Sequence, residues 1–479
     1  MDNMSLADAS FLYAETETDL HHNAWLGIFE GPPPTTEEFT ALIAAKLHLI
    51  PRYRQRVRFV PGDLGTPVWV DDQHFNLGFH IRHIALPAPG SDDQLREFFA
   101  TLMAVPLDRG KPLWEMWVID GLTDDRWGLV SKLHHCMADG ATTTGMTTIL
   151  FDADPAAVVG EPVPWTPGPA PTDEELVQAA IASSQQTGEN LTTRYADLMS
   201  SLRRRGDEVG AAFSSLETSL ARPLAIPQLN GPIGPYRRWE WVQAPLADIA
   251  KVRKRHGGTV NDVILAMVTT GFRELLLARG EEVSENTVRC MVPVSVRDAD
   301  DEAGNRVSAM YAELPVGTPK VLDRYFAIRT QMDALKASNQ ALAGDVLAAF
   351  AALQAPALAA LGARAASSVT SPVNTTTTNV PGPQFPLYAL GRLMLENWPY
   401  ITLANTVRIA TTVFSYNGIV RLGITGDYDS TPDLEVFSEG VRAGLTDLQR
   451  ARARTSQRTG RVEPATKQSD RQTDERAGT

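Results

Sequence analysis

Apolar and polar positions change period along the chain, and each change marks an element. Phe39, Leu42, Ile43 and Leu47 recur at helical spacing between Thr36 and Leu49, and Pro51 ends that helix. From Arg52 to Phe59 arginines alternate with other residues, which predicts a strand with Arg52, Arg54, Arg56 and Arg58 on one face. That stripe reads as a solvated face, with anion binding as its functional alternative. Trp69-Val70 and Phe79 to Ile84 predict short strands, with His80 and His83 at exposed positions, and Leu95 to Leu102 predicts a helix. Glu115 to Ile119 and Trp127 to His135 then form the two arms of a hairpin turning between Gly121 and Arg126. A helix over Ala141 to Phe151 follows, with apolar or small residues at Ala141, Gly145, Met146, Ile149 and Leu150.

A stretch rich in Pro, Ala, Asp and Gly from Asp152 to Pro171 marks a linker, and Thr172 to Leu220 continues it with a long helical composition. The second half repeats the mixture of strands and helices. Tyr236 to Val242 reads as a strand and Leu246 to His256 as a helix stopped by Gly257-Gly258. Thr259 caps the next helix, which runs to Ala278, with Asp262 in capping-box position. Arg289 to Arg297 is a strand, and Ala341 to Val369 is Ala/Leu-rich and helical, interrupted by Pro356. A late hairpin turns on Asn417-Gly418, and a helix over Leu434 to Leu448 closes the pattern. The expected organisation is a domain over 1–152, a Pro-rich and helical linker over 153–234, a second domain over 235–450 and a disordered polar tail over 451–479.

Composition narrows the classes. At 479 residues the chain exceeds one ordinary core, and 43% apolar residues suffice to build two. A net charge of −13 argues against nucleic acid as the main partner. Two cysteines, Cys136 and Cys290, make neither a disulfide framework nor a zinc site, which fits a reducing cytoplasm. The first residues lack the basic and apolar regions of a signal peptide, and no run of about twenty apolar residues is present. Any membrane contact is therefore expected to be peripheral.

Candidate chemistry concentrates in His134-His135-Cys136-Met137-Ala138-Asp139-Gly140, at the junction of the predicted strand and helix. An imidazole suits proton transfer at neutral pH. An aspartate four positions on can fix the turn, pair with a cation or set the imidazole tautomer. The glycine allows a tight backbone path or a close ligand. Cys136 reads as a small core residue rather than a nucleophile.

This stretch matches the HHxxxDG motif of the bacterial wax ester synthase/diacylglycerol acyltransferase family, within the CoA-dependent acyltransferases; condensation domains of peptide synthetases carry the motif too. Four further blocks stand in the family's order: Pro112-Leu113-Trp114, Asn261-Asp262, the strand ending at Arg297 with Gly304 to Pro315, and Thr378-Asn379-Val380-Pro381-Gly382-Pro383. The last resembles SNVPGP, with Thr378 keeping the hydroxyl of the usual serine. Ser5 to Leu12, followed by His21-His22, resembles the family's opening. The chain is identified as a member on these blocks together.

The resemblance implies an α/β (α+β) fold of two chloramphenicol-acetyltransferase-like domains, each a mixed β-sheet with helices, with an active-site channel between them. It implies O-acyl transfer from a long-chain acyl-CoA to diacylglycerol or to a long-chain alcohol. Acyl-CoA is then a co-substrate, and neither a cofactor nor a metal is expected. His135, the motif's second histidine, takes the role of general base, while His134 turns to the other side of the strand because neighbours alternate. Asp139 and Gly140 complete the motif, Asp139 as the holder of the turn, with a direct charge partnership as the alternative. Asn261, Thr378 and Asn379 are expected to face the His135 channel as substrate-binding residues, and Trp114 to brace the strand beside them. The expected location is cytoplasmic, or peripheral at the inner membrane face or on lipid inclusions. Two other readings are a catalytically silent lipid-binding or droplet-surface protein of the same fold and a condensation-domain-like acyltransferase. The intact motif speaks against the first, and the PLW and NVPGP blocks fit the second poorly.

Overall fold

The computed structural model describes residues 2–137, 140–221, 224, 226–283, 287–295, 307–338, 340, 342–343, 346, 356–366, 371–404 and 406–451. Asp139, Arg297, Asn305, parts of the Ala341-to-Val369 stretch and the expected tail beyond Ala451 lie outside the described residues. Among the described residues, two six-stranded sheets carry the architecture, with a three-stranded sheet beside them.

In chain order the first half supplies β1 (Asp2–Asn3), α1 (Leu6–Ala14), β2 (His22–Glu30), α2 (Thr36–Lys46), β3 (Gln55–Arg58), β4 (Val68–Asp71), α3 (Leu77–His80), β5 (Ile81–Ala85), α4 (Asp92–Met103), β6 (Trp114–Leu122), β7 (Arg126–His134) and α5 (Gly140–Leu150). Two long helices follow, α6 (Asp173–Arg204) and α7 (Gly206–Ala221). The second half supplies β8 (Arg237–Pro245), α8 (Leu246–His256), α9 (Val260–Ala278), β9 (Val288–Ser295), β10 (Val307–Leu314), α10 (Val321–Ala337), β11 (Thr375–Pro381), β12 (Tyr388–Ala389), β13 (Arg392–Tyr400), β14 (Ile409–Tyr416) and β15 (Ile419–Asp427). Helices Pro356–Ala366 and Leu434–Arg450 complete the described elements.

The first sheet has the order β12-β13-β2-β7-β6-β5 and the second β10-β9-β11-β14-β15-β8. The β6–β7 hairpin forms where the alternation predicts it, with Gly121, Asp124 and Asp125 at positive φ in its turn. Both faces of β7 are covered. Leu129 and Leu133 enter a core with Trp114, Met116 and Val118, while Val130 enters another with Leu26, Ile28 and Phe99. The capping box of Thr259 and Asp262 on α9 is present in full.

The first sheet is not built from the first half alone. β12 and β13 lie inside the expected 235–450 domain, yet β13 pairs with β2, Trp398 opposite Leu26 and Tyr400 opposite Ala24. A strand's own pattern encodes its faces, not its partner. The sheets meet where β13 crosses β15. A Cβ on Gly423 would lie 1.8 Å from the Pro399 carbonyl oxygen, so only glycine permits the approach. Thr425 Oγ1 donates to the Ile401 carbonyl at 2.6 Å beside it.

Three local expectations change. Pro51 to Arg54 forms a 3-10 turn, so only Gln55 to Arg58 is strand. The arginines diverge: Arg54 is buried over the Trp165 ring at 4.7 Å, and Arg58 pairs with Asp173 at 2.6 Å. His80 is buried rather than exposed, its Nδ1 donating to the Trp114 carbonyl at 2.8 Å. Helix Pro356–Ala366 is the longest described piece of the Ala/Leu-rich stretch.

Candidate active site

β7 ends at His134, and a 3-10 turn over His135–Met137 redirects the chain towards α5. The two imidazoles have different surroundings. His134 follows Val130 and Lys132 on one face and is 1% exposed. Its Nδ1 accepts the Cys136 N–H at 3.1 Å, and its Nε2 donates to Glu15 Oε2 at 2.5 Å. An acceptor at Nδ1 and a donor at Nε2 fix the Nε2–H tautomer. Glu15, the C-cap residue of α1, also pairs with Arg109 at 3.3 Å.

His135 is held differently. Its backbone N–H donates to the His21 carbonyl at 2.8 Å, and its ring stacks on Phe11 of α1 at 4.0 Å between centroids and 21° between planes. The side chain is only half-buried. One imidazole is thus locked into the scaffold, and the other lies half-buried on an aromatic platform with its Nδ1 turned inward.

Burial sets the charge states nearby. Desolvation raises the Glu15 carboxyl pKa, but the His134 hydrogen bond and the neighbouring cationic groups outweigh it, and the net shift is downward. Burial pushes His21 down, against the pull of Asp19, and pushes His22 well down. Neither ring nitrogen of His22 finds a hydrogen-bond partner among the described residues. Lys132 is depressed by burial to about 8, and its ammonium donates to the carbonyls of Leu102 and Val105 at the end of α4. The buried Cys136 thiol is pushed well up, which leaves little thiolate for nucleophilic attack.

A histidine whose folded pKa is depressed binds fewer protons in the folded than in the unfolded chain once pH falls below about 6.5, so stability drops with falling pH. Glu15 acts in the same direction at lower pH, because its depressed carboxyl contributes stability that disappears as it protonates. The melting temperature is therefore expected to fall between about pH 7.5 and 5.5, and His22→Leu to flatten that slope. An unchanged slope in the variant, followed by differential scanning fluorimetry, contradicts the assignment to His22.

The other expected site residues separate. Trp114 is 1% exposed, stacks on Tyr53 and His80 at 4.4 Å each and donates from Nε1 to the Tyr53 carbonyl at 2.8 Å. It occupies the position of a brace for β6 and β7. Trp114→Ala is expected to cost about 3–5 kcal/mol of stability; a thermal midpoint equal to wild type would exclude the bracing role. Gly140 opens α5. Thr378 and Asn379 lie on β11, opposite Thr412 and Val413 of β14, rather than in a turn. Val380 beside them packs into the same core as Cys136, Met137 and Met146, which brings this block to the motif's neighbourhood. Thr378 Oγ1 and Thr412 Oγ1 are 2.8 Å apart, so one hydroxyl proton bridges them and the other stays available. Asn261 is half-buried on the first turn of α9. That turn lies by Gly257 and Gly258, in the helical layer of the second half where Tyr325 Oη donates to the Gly257 carbonyl at 2.5 Å.

Sequence reasoning missed Glu15 and the platform role of Phe11. Phe11 belongs to the opening block, but nothing in that block says what its ring touches. Glu15 is an acid closing the apolar run Phe11 to Ala14, a signal too common to single out. A cavity of about 440 Å³ opens on the outer side of these residues, lined by Leu12, Tyr13, Glu15, Phe59, Arg109 and Arg364 among others.

Comparison with known proteins identifies the family. Residues 4–264 match the model of the wax ester synthase/diacylglycerol acyltransferase catalytic domain, and residues 303–449 that of the WS/DGAT C-terminal domain. A Mycobacterium tuberculosis protein named "Probable diacyglycerol O-acyltransferase tgs1" is 36% identical over 454 residues, covering 94% of this chain and 96% of its own. The solved wax ester synthase/diacylglycerol acyltransferase from Marinobacter aquaeolei superposes with a TM-score of 0.65 at 25% identity, covering 93% of this chain and 98% of its own. The first condensation domain of the calcium-dependent antibiotic synthetase shares the fold, with a TM-score of 0.61 at 15% identity over 94% of this chain and 96% of its own. With its two mixed α/β halves and its intact motif, the chain belongs to the wax ester synthase/diacylglycerol acyltransferase family of O-acyltransferases.

Proposed function

We propose that the protein moves a long-chain acyl group from acyl-CoA to the free hydroxyl of diacylglycerol, and to long-chain alcohols as a second acceptor, with His135 as general base. The observation that carries this reading is the division between the two histidines: His134 is buried on Glu15, while His135 is half-buried on the Phe11 ring.

An alcohol is a weak nucleophile and a thioester an activated acyl donor. Neutral imidazole at His135 accepts the hydroxyl proton as the oxygen attacks the thioester carbonyl. The tetrahedral oxyanion needs donors, and the Thr378 hydroxyl, the Asn379 amide and the Asn261 amide are the candidates. Collapse breaks the carbon–sulfur bond, and the imidazolium returns its proton to the CoA sulfur. The carbon–oxygen bond replaces the carbon–sulfur bond without a covalent enzyme intermediate, so Cys136 takes no part.

Glu15 serves as a positioning residue, through His134. Glu15→Gln is expected to lower kcat by up to about 10²-fold with KM little changed, because the turn bearing His135 loses its fixed geometry. A variant with raised KM and unchanged kcat would place Glu15 in substrate binding instead. The proposed activity is tested by assaying the purified protein with palmitoyl-CoA against diolein and hexadecanol in parallel. Triacylglycerol formation with diolein is the expected main product, and wax ester formation alone would reverse the acceptor preference.

A further inference from the structure

Residues 15–21, between α1 and β2, form neither helix nor strand, yet Asp19, Leu20 and His21 are buried. Backbone carbonyls buried outside regular structure need partners, because water does not satisfy them there. Each carbonyl over residues 18–21 has one. The Asp19 carbonyl accepts the Thr16 N–H at 3.1 Å, which closes a turn, and the His21 carbonyl accepts the His135 N–H at 2.8 Å. The Leu20 carbonyl accepts the His22 N–H at 2.9 Å. Thr402 Oγ1 also donates to it, at 2.5 Å, closer than to the Leu403 carbonyl at 3.2 Å. The Thr18 carbonyl accepts from the guanidinium of Arg237, a buried side chain that also donates to the carbonyls of Gly234 and Tyr236.

Thr402 and Arg237 come from the second half of the chain. Arg237 opens β8, and Thr402 follows β13, where the Thr425 hydroxyl of β15 holds the neighbouring Ile401 carbonyl. The segment they hold touches the motif at both ends. Glu15, at its start, accepts from His134 Nε2. His21, at its end, takes the backbone of His135. The His21 ring meets Phe11 edge-on at 5.6 Å, and His135 stacks on that same phenyl ring. The turn bearing the two histidines is thus set by a segment whose own path is fixed from the second half.

We infer that Thr402 and Arg237 are positioning residues for His135, acting through the carbonyls of Leu20 and Thr18. Loss of the Thr402 hydroxyl frees the Leu20 carbonyl on one side. The adjoining His21 carbonyl then shifts, and the His135 backbone bonded to it shifts too. A small displacement of a base from its productive geometry costs rate without weakening substrate binding. The inference rests on the general-base reading of His135 and adds that both halves of the chain place that base.

The test uses the full chain with palmitoyl-CoA and diolein. Thr402→Val keeps the branched shape and removes the hydroxyl, and Thr402→Ser keeps the hydroxyl. Thr402→Val is expected to lower kcat by about 10- to 100-fold with KM within about twofold of wild type. Thr402→Ser is expected to restore kcat to within about threefold. In a His135→Ala background, Thr402→Val is expected to change the rate by less than about twofold, because the placement of an absent base no longer matters. Raised KM at unchanged kcat, equal losses in the Val and Ser variants, or a full further loss in the His135→Ala background each overturns the inference. Arg237→Lys keeps the charge but not the planar fork. It tests the same segment from its other anchor should Thr402→Val fail to fold, and the same kcat-specific loss is expected. Amide hydrogen exchange separates the positioning from the activity. The His135 amide is expected to exchange about tenfold faster in Thr402→Val than in wild type or Thr402→Ser. That pattern in a protein without acyl transfer counts against the proposed activity and not against the positioning. Unchanged exchange at His135 in both Thr402→Val and Arg237→Lys overturns the positioning itself.

Discussion

His135→Ala is expected to lower kcat for acyl transfer by about 10²–10⁴-fold, the usual worth of a positioned general base, with the melting temperature close to wild type. The side chain is half-buried and its ring contact with Phe11 is a surface of one element on another, so its removal opens little of the core. His134→Ala is the informative partner. It removes a buried ring hydrogen-bonded on both sides, and the Glu15 carboxylate and the Cys136 N–H lose their partner together. That variant is expected to lose stability, since an abandoned buried group costs about 1–3 kcal/mol, and to lose activity through geometry. Similar kcat losses with wild-type stability in both would mean that the division of labour between the two histidines is wrong.

The second large effect is expected at Thr378. Thr378→Val keeps the branched shape on β11 and removes the hydroxyl facing Thr412. If that pair supplies the free proton to the oxyanion, kcat falls by about 10²–10³-fold while KM stays within about twofold, because the interaction exists only in the transition state. Asn261→Ala, on the first turn of α9, serves as the comparison. A large loss there with little change at Thr378 would move the oxyanion donor from the β11 block to the α9 helix start. An increase in KM alone at either position would make that residue a ground-state contact.

Much of this arrangement was legible in the sequence. The β6–β7 hairpin, the placement of the motif at a strand end, the capped start of α9 and the Asn417-Gly418 turn are all local, and local patterns encode them. What stayed hidden was long-range. β13 joins the first sheet from the second half of the chain, and nothing in its own residues names β2 as partner. Glu15 reaches His134 across 119 positions. His80 reads as an exposed strand residue, because only the fold brings the Trp114 ring over it. Pro51 turns the arginine stripe into a 3-10 turn and a short strand, which sends Arg54 inward. In the first three cases the competing information was a tertiary contact, and at Pro51 it was a local turn.

The central claim is that His135 accepts the acceptor's proton. Its most direct test is the single-turnover rate of ester formation from palmitoyl-CoA and diolein, followed between about pH 5.5 and 8.5 in wild type and in His135→Ala. Wild type is predicted to speed up with pH as the imidazole becomes neutral, and the variant to show a low rate without that ascending limb. A variant that retains the limb at near wild-type rate would contradict the account and place the base on another residue.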